Sequence, residues 1–336
     1  MQMKWWMTKK RIYLDYASAT PMLSEVRSEM EKYFSEEFYN PNAIYEEGLR
    51  IKSEVNKFRR KIADILGAAE ENIIFTSGGT EANVMTVRGI KGKVITEGEV
   101  HPSVTDAIEG RILDTDLPAG EAGSQGPTLI SSVTTDNKLG RKIREERKKK
   151  HSEFPLLHID ASQTAVYFDV GLEKLACDLI TLDSAKLYGP KGVGALVVRR
   201  GTELILPPRG TPAVPLIAGF AKALEIAAKD REKEFKRLSS LSAGFREELA
   251  YSLPEAEITY SNPHIINISV PGILPELLVL ALERNGVLVS AGPACNSNKP
   301  ELPETPVRIS LGQFTTEDEM RKAAKIFCST AKNLLK

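Results

Sequence analysis

Cysteine is scarce in this chain: the 336 residues hold three, Cys177, Cys295 and Cys328, far apart and with no C-x-x-C pair. That spacing excludes a disulfide framework and a zinc ribbon, and the default for each thiol is a buried, inert side chain. Net charge is missing too. Forty-five basic residues cancel 45 acidic ones, so neither direct nucleic-acid binding nor an acidic membrane surface is expected. The longest basic run, "RKIREERKKKH" (141–151), carries internal glutamates and reads as a solvated helix face rather than a binding tail. No apolar run approaches the length that spans a bilayer. The start "MQMKWWMTKKR" lacks the apolar core of a secretion signal, so a cytoplasmic protein is expected. Internal repeats and low-complexity segments are absent as well.

What is present is ordinary globular material, 42% hydrophobic and 27% charged, in a length that suits one large domain with a smaller partner. Short apolar runs alternate with helical patterns. "NIIFTS", "KVITE", "PTLISSV", "PLLHID", "LITL" and "GALVVRR" read as strands, with helices such as "GTEANVMTVRGI" and "HPSVTDAIEGRI" between several of them. "EVNKFRRKIADILG" has helical spacing and stops at Gly67, a helix-ending residue. This alternation predicts an α/β fold with a mostly parallel sheet flanked by helices. After the long helical stretch 219–253 the pattern changes to "HIINISV", "PELLVLALERNG", "VLVS", "VRISL" and a final amphipathic helix. The expected division is a large domain over 12–240 and a smaller α+β domain over 241–336, joined by 1–11.

Ligands of open parallel sheets sit at the carboxyl ends of the strands, so the polar residues there carry the functional reading. "TSGGT" (76–80) lies between a strand and a helix. Its glycines permit a tight turn, and the helix start offers free N–H groups to a phosphate; many such turns bind nothing. "HIDASQ" ends a strand with Asp160 and Gln163, where an acid either caps a helix or pairs with a cationic ring nitrogen. His101, among four histidines, follows "KVITE". "LDSAKLYGPKGVGALVV" (182–198) sets Lys186 on a turn beside a strand, where an ammonium group is costly to bury. A phosphate cradle, a strand-end acid, a histidine and a turn lysine together describe a pyridoxal 5'-phosphate (PLP) site, with the lysine bonded to the aldehyde and the acid keeping the ring nitrogen protonated.

The chain resembles the cysteine desulfurases, in the class V aminotransferase group of PLP enzymes. The likeness runs through "YLDYASATP" (13–21), "YNP" (39–41), "KIADILGA", "IIFTSGGTEAN", "HIDASQ", "KLYGPKGVGAL", "SAGPACNS" (290–297) and "VRISLGQFTTEDE" (307–319). The resemblance implies the type I, aminotransferase-like fold of PLP-dependent transferases, and a role for each matching residue. Lys186 would carry PLP and move the substrate proton. His101 would stack on the ring and act in acid–base steps. Asp160 would pair with the ring nitrogen, and Gln163 and Asn137 would bond the phenolic oxygen. Gly79, Thr80 and Ser184 would hold the phosphate, joined by Thr211 from a neighbouring subunit in a homodimer. Arg308 and Asn40 would bind the substrate, with the Arg308 guanidinium suited to a carboxylate. Cys295, on an expected exposed loop, would take sulfur from L-cysteine as a persulfide and pass it to an acceptor, a scaffold for iron–sulfur clusters or a tRNA-thiolation enzyme.

Some positions depart from the family pattern. Ser, a small residue and His normally precede the lysine; here Asp183, Ser184 and Ala185 stand there. An ionised Asp183 would repel a phosphate, and the imidazole is lost. Pro293 replaces a usual serine before Ala-Cys, and the segment from Cys295 to Arg308 is short beside the branch the other motifs match. Two further readings accompany the desulfurase: a related selenocysteine lyase or class V aminotransferase, and a degenerate homologue serving as a binding or scaffold subunit.

Overall fold

The computed structural model describes residues 11–109, 128–208, 210–292 and 305–336, with Ser261 described by its backbone alone. It divides into two compact units: Pro21–Arg231, and Glu232–Lys336 together with the residues up to Thr20. In chain order, β1 (Ile12–Tyr13) belongs to the smaller unit. The larger unit opens with α1 (Ser24–Ser35) and α2 (Glu46–Leu66), followed by β2 (Ile73–Thr76), α3 (Gly79–Gly89), β3 (Val94–Glu97) and α4 (Pro102–Glu109). It continues with β4 (Leu129–Ser132), α5 (Lys138–Lys150), β5 (Leu156–Asp160), the single turn α6 (Leu172–Leu175), β6 (Leu179–Asp183) and β7 (Gly194–Val198). The division between units falls inside α7 (Val214–Ser252).

The apolar spacing of α2 buries Ile51, Val55, Phe58, Ile62 and Leu66 along one face, as an amphipathic helix requires. It ends at Gly67, whose φ of 64° lets its N–H bond Ala63 O, the left-handed stop that glycine takes without strain. β5 and β7 are buried at every residue, which explains why they read as continuous apolar runs.

The six strands order as β2-β7-β6-β5-β4-β3. β3 to β6 pair in parallel, while β7 is antiparallel to both β6 and β2. β2 therefore points the same way as β3 to β6, and β7 alone is reversed. Ile74, Leu129, Leu179 and Leu196 from four different strands meet in one fully buried cluster with Ala82 and Met85 of α3.

The basic run on α5 departs in part from a solvated face. Arg147 turns inward, donating from Nη1 to Asp178 Oδ1 at 3.1 Å and from Nε to Pro155 O at 2.6 Å. Asp178 is 2% exposed and also accepts from Leu157 N–H at 2.8 Å. A buried carboxylate needs such partners, so this arginine is structural.

The smaller unit carries β8 (Glu257–Asn262), β9 (Ile265–Ser269), α8 (Pro275–Arg284), β10 (Val287–Leu288), β11 (Ser290–Ala291), β12 (Val307–Ser310) and α9 (Glu317–Leu334). Its antiparallel sheet orders as β11-β12-β9-β8, and β1 pairs in parallel with β10. α9 begins at a capping box: the Thr316 hydroxyl accepts from Glu319 N–H while the Glu319 carboxylate accepts from Thr316 N–H, satisfying two donors that a helix start otherwise leaves open. Among the described residues, no helix is long and apolar enough to cross a membrane.

Candidate active site

Five strands pointing one way end at a single edge of the sheet, and each is followed by a residue singled out in the sequence. β2 leads to Gly79 and Thr80, β3 to His101, β4 to Asn137, β5 ends in Asp160 with Gln163 beyond, and β6 leads to Lys186. That edge is where ligands of such sheets bind.

Asp160, 9% exposed, stands at its centre. One carboxylate oxygen accepts from Ser162 N–H at 3.0 Å, and the other accepts from Asn83 Nδ2 at 2.8 Å. The same amide nitrogen donates to Ser103 Oγ at 3.0 Å, and Ser103 Oγ lies 2.7 Å from His101 Nδ1. Ser103 N–H also points at His101 Nδ1, at 3.0 Å. With two donors aimed at Nδ1, the neutral ring keeps its proton on Nε2. Asn83 on α3 and Ser103 on α4 thus tie the acid to the imidazole. Neither was foreseen from the sequence; the one available signal was a polar side chain on the inner face of α3.

Two residues before Asp160 on the same strand face, His158 is buried, with its ring nitrogens 2.8 Å from Ser131 Oγ and 2.9 Å from Thr181 Oγ1. Burial pushes its pKa down to about 4, against a smaller upward pull from Asp160. The ring is therefore neutral near pH 7 and adds no positive charge beneath the acid.

At the β2 end, Gly78 has φ 155°, a backbone that side-chain-bearing residues rarely adopt, and α3 starts directly after it. Ser162 Oγ lies 2.9 Å from where a β-carbon on Gly79 would stand, and the Asp183 carboxylate lies against the same turn. Asp183 accepts from Ala185 N–H at 2.9 Å, starting the short 3-10 turn Ser184–Lys186. Lys186 is half-buried on that turn, and Ser184 is fully buried against Gly189. Tyr188, two residues on, is 3% exposed at φ 59°, a strained conformation that persists only where the surroundings fix it.

The other candidate residues differ in exposure. Asn137 is half-buried at the start of α5, Gln163 is half-buried, and Thr211 is exposed just before α7. Asn40 is exposed and uses Oδ1 to accept from Asn42 N–H at 2.9 Å. Arg308 belongs to the smaller unit, on β12, where it is 7% exposed and donates from Nη2 to Asp15 Oδ1 at 2.9 Å and to Ser18 Oγ at 2.7 Å. Its Nε is buried without a partner among the described residues. Beside this pair the Tyr13 hydroxyl is pushed up to about 12, first by burial and then by the Asp15 charge. Cys295, Pro293 and most of the short segment after them lie outside the described residues. The other two thiols are buried; burial raises Cys177 to about 12 and raises Cys328 as well, so neither is a ready nucleophile.

The aminotransferase class-V family model matches residues 12–107, 124–209 and 207–322. A cysteine desulfurase IscS from Dictyoglomus turgidum is 34% identical over 364 residues, spanning 93% of this chain and 92% of that protein. Its counterpart from Methanosarcina thermophila is 31% identical over 374 residues, spanning 94% and 91%. Among solved structures, a NifS-like protein superposes with a TM-score of 0.80 at 25% identity, covering 95% of this chain and 98% of the other. A NifS-like protein from Rickettsia africae shares the fold at a TM-score of 0.79 and 19% identity, covering 97% and 99%.

Proposed function

We propose, for a chain that belongs to the aminotransferase class-V family and within it to the cysteine desulfurases, that it uses PLP to take sulfur from L-cysteine. The products are L-alanine and a persulfide on Cys295, from which sulfur passes to an acceptor protein serving iron–sulfur assembly or tRNA thiolation. The observation that carries this reading is the single sheet edge to which three strands pointing one way, β3, β5 and β6, lead His101, Asp160 and Lys186.

The fit of the cofactor rests on this chain's own atoms. Asn83 Oδ1, Ser162 Oγ and Ser184 Oγ are buried without a hydrogen-bond partner among the described residues. Buried polar atoms are rarely left so, and these three flank the acid, the α3 turn and the lysine turn. The residues fit the ring end of PLP, with a departure at the phosphate end taken up below.

When bound, PLP supplies an electron sink that loosens bonds at the substrate's α- and β-carbons. Lys186 would hold the aldehyde and, once displaced by substrate, carry the α-proton on Nζ. Asp160, oriented by Asn83 and Ser162 N–H, would keep the ring nitrogen protonated. His101 would present Nε2–H to the reacting side, its Nδ1 held by Ser103. Gly79, Thr80 and Ser184 would hold the phosphate, and Asn137 and Gln163 the phenolic oxygen. Arg308 and Asn40 would bind the substrate; Arg308 already holds the Asp15 carboxylate, so a substrate carboxylate would share or replace that partner. Cys295 would attack the substrate sulfur as thiolate, forming the S–S bond as the C–S bond breaks. Thr211 would complete the phosphate site of a neighbouring subunit in a homodimer, a state that light scattering reads directly.

The test is mass spectrometry of the intact protein after incubation with PLP and L-cysteine. One added sulfur on Cys295, with alanine released in step, is expected, and both vanish in Cys295→Ser. Undiminished alanine and sulfide from Cys295→Ser would refute the assignment of the nucleophile. Turnover of selenocysteine alone would favour the lyase.

A further inference from the structure

A carboxylate stands beside the turn that would receive the phosphate. α3 makes its first intrahelical hydrogen bond from Ala82 N–H to Gly78 O, at 3.2 Å, so the N–H groups of Gly79, Thr80 and Glu81 precede it. Such groups, with the positive end of the helix dipole, attract an anion. Asp183 lies beside the two glycines at this turn. Its Oδ2 is 3.5 Å from the place a β-carbon on Gly79 would take and 3.8 Å from that on Gly78, and its own Cβ is 3.3 Å from the former. Oδ1 is held by Ala185 N–H at 2.9 Å, which fixes the carboxylate in this orientation. Glu81, in the first turn, sends its carboxylate back to Ser77 N–H at 2.5 Å. The Ser162 hydroxyl, without a hydrogen-bond partner among the described residues, also lies close to Gly79. Ala185 has no proton to donate from its side chain.

One electrostatic well thus faces two claimants, a fixed carboxylate and an incoming phosphate. Like charges a few ångströms apart repel, most strongly where water is excluded. We propose that the Asp183 carboxylate, fixed beside the α3 turn, holds down affinity for the 5'-phosphate by repulsion, so that this chain distinguishes poorly between PLP and pyridoxal, its unphosphorylated aldehyde. This rests on the reading of the site as a PLP site. The ring end of the site is untouched by the substitution, so the loss is confined to the phosphate.

The experiment titrates the full chain, freed of aldehyde, with PLP and separately with pyridoxal, reading the visible absorbance of the lysine-bound aldehyde. Wild type is compared with Asp183→Ser and Asp183→Asn. The asparagine keeps an oxygen for Ala185 N–H, so it preserves the turn while removing the charge. Removing the charge is expected to tighten PLP by about tenfold or more in both variants and to move pyridoxal by less than about twofold. An unchanged PLP affinity in both variants overturns the proposal, as does a gain that pyridoxal shares equally. If neither aldehyde gives the absorbance in any of the three proteins, the cofactor reading itself falls, a result distinct from equal binding by all.

Discussion

Acidification will weaken the fold through its buried histidines, and His158 is the sharpest case. In the folded protein its pKa is pushed down to about 4 by burial, from an ordinary value of 6.5. As pH falls, the unfolded chain therefore takes up this proton first, and stability is lost from about pH 6.5 down to about pH 4. For His158 alone the loss is about 2 kcal/mol between pH 7.5 and pH 5, and about 3 kcal/mol by pH 4. His264, in the smaller unit, is likewise pushed down by burial, to about 3, and adds a loss of similar size. Urea unfolding followed by far-ultraviolet circular dichroism at the two pH values measures the change. His158→Gln pays a constant cost for its altered hydrogen bonds but cannot gain a proton. Its stability should fall by about 2 kcal/mol less than wild type over that interval. If units unfold separately, the difference belongs to the transition of residues 21–231. Parallel losses in wild type and variant would refute the reasoning.

Further tests address single contacts. Arg147→Met strips the buried Asp178 carboxylate of its main cation and should cost about 3 kcal/mol in urea unfolding; pairing it with Asp178→Asn should recover part of that. Asn83→Ala removes the amide that joins Asp160 to Ser103, and a loss of about 1–3 kcal/mol is expected, with nitrogen NMR of His101 reporting whether its tautomer survives. Gly140→Ala would set a β-carbon 2.5 Å from Leu175 O and 2.6 Å from Ala176 O. Backbone atoms cannot yield as a side chain does, so about 1–3 kcal/mol is lost, and an unchanged melting temperature would contradict this.

The sheet was legible because burial on both faces writes strands as apolar runs, and the ends of those runs located Asp160, His101 and Lys186 on one edge. The stop of α2 at Gly67 was legible for a local reason, since a left-handed residue is a property of one position. β8 was not read: "EITYSN" lies at an edge of its sheet and carries no apolar run. The inward turn of Arg147 was hidden because its partner Asp178 is 31 residues away, and nothing in a basic run marks the member that reaches it. The Asn83 bridge was hidden likewise, since its partners stand 20 and 77 residues off. Asp183 was visible as a departure from the family pattern; its seat against Gly79 required coordinates.

The reversed strand has an effect at the rim. Where its neighbours each release a loop upward, β7 begins there, with Gly194 opposite both Thr76 and Asp183. Gly78 packs close against it: a β-carbon at 194 would come within 2.9 Å of the Gly78 Cα and closer still to Leu182 O. A methyl group there would press on both the α3 turn and the strand that carries Asp183. The spacing between that turn and the strand end carrying Asp183 thus depends on a single hydrogen atom at the residue paired with both.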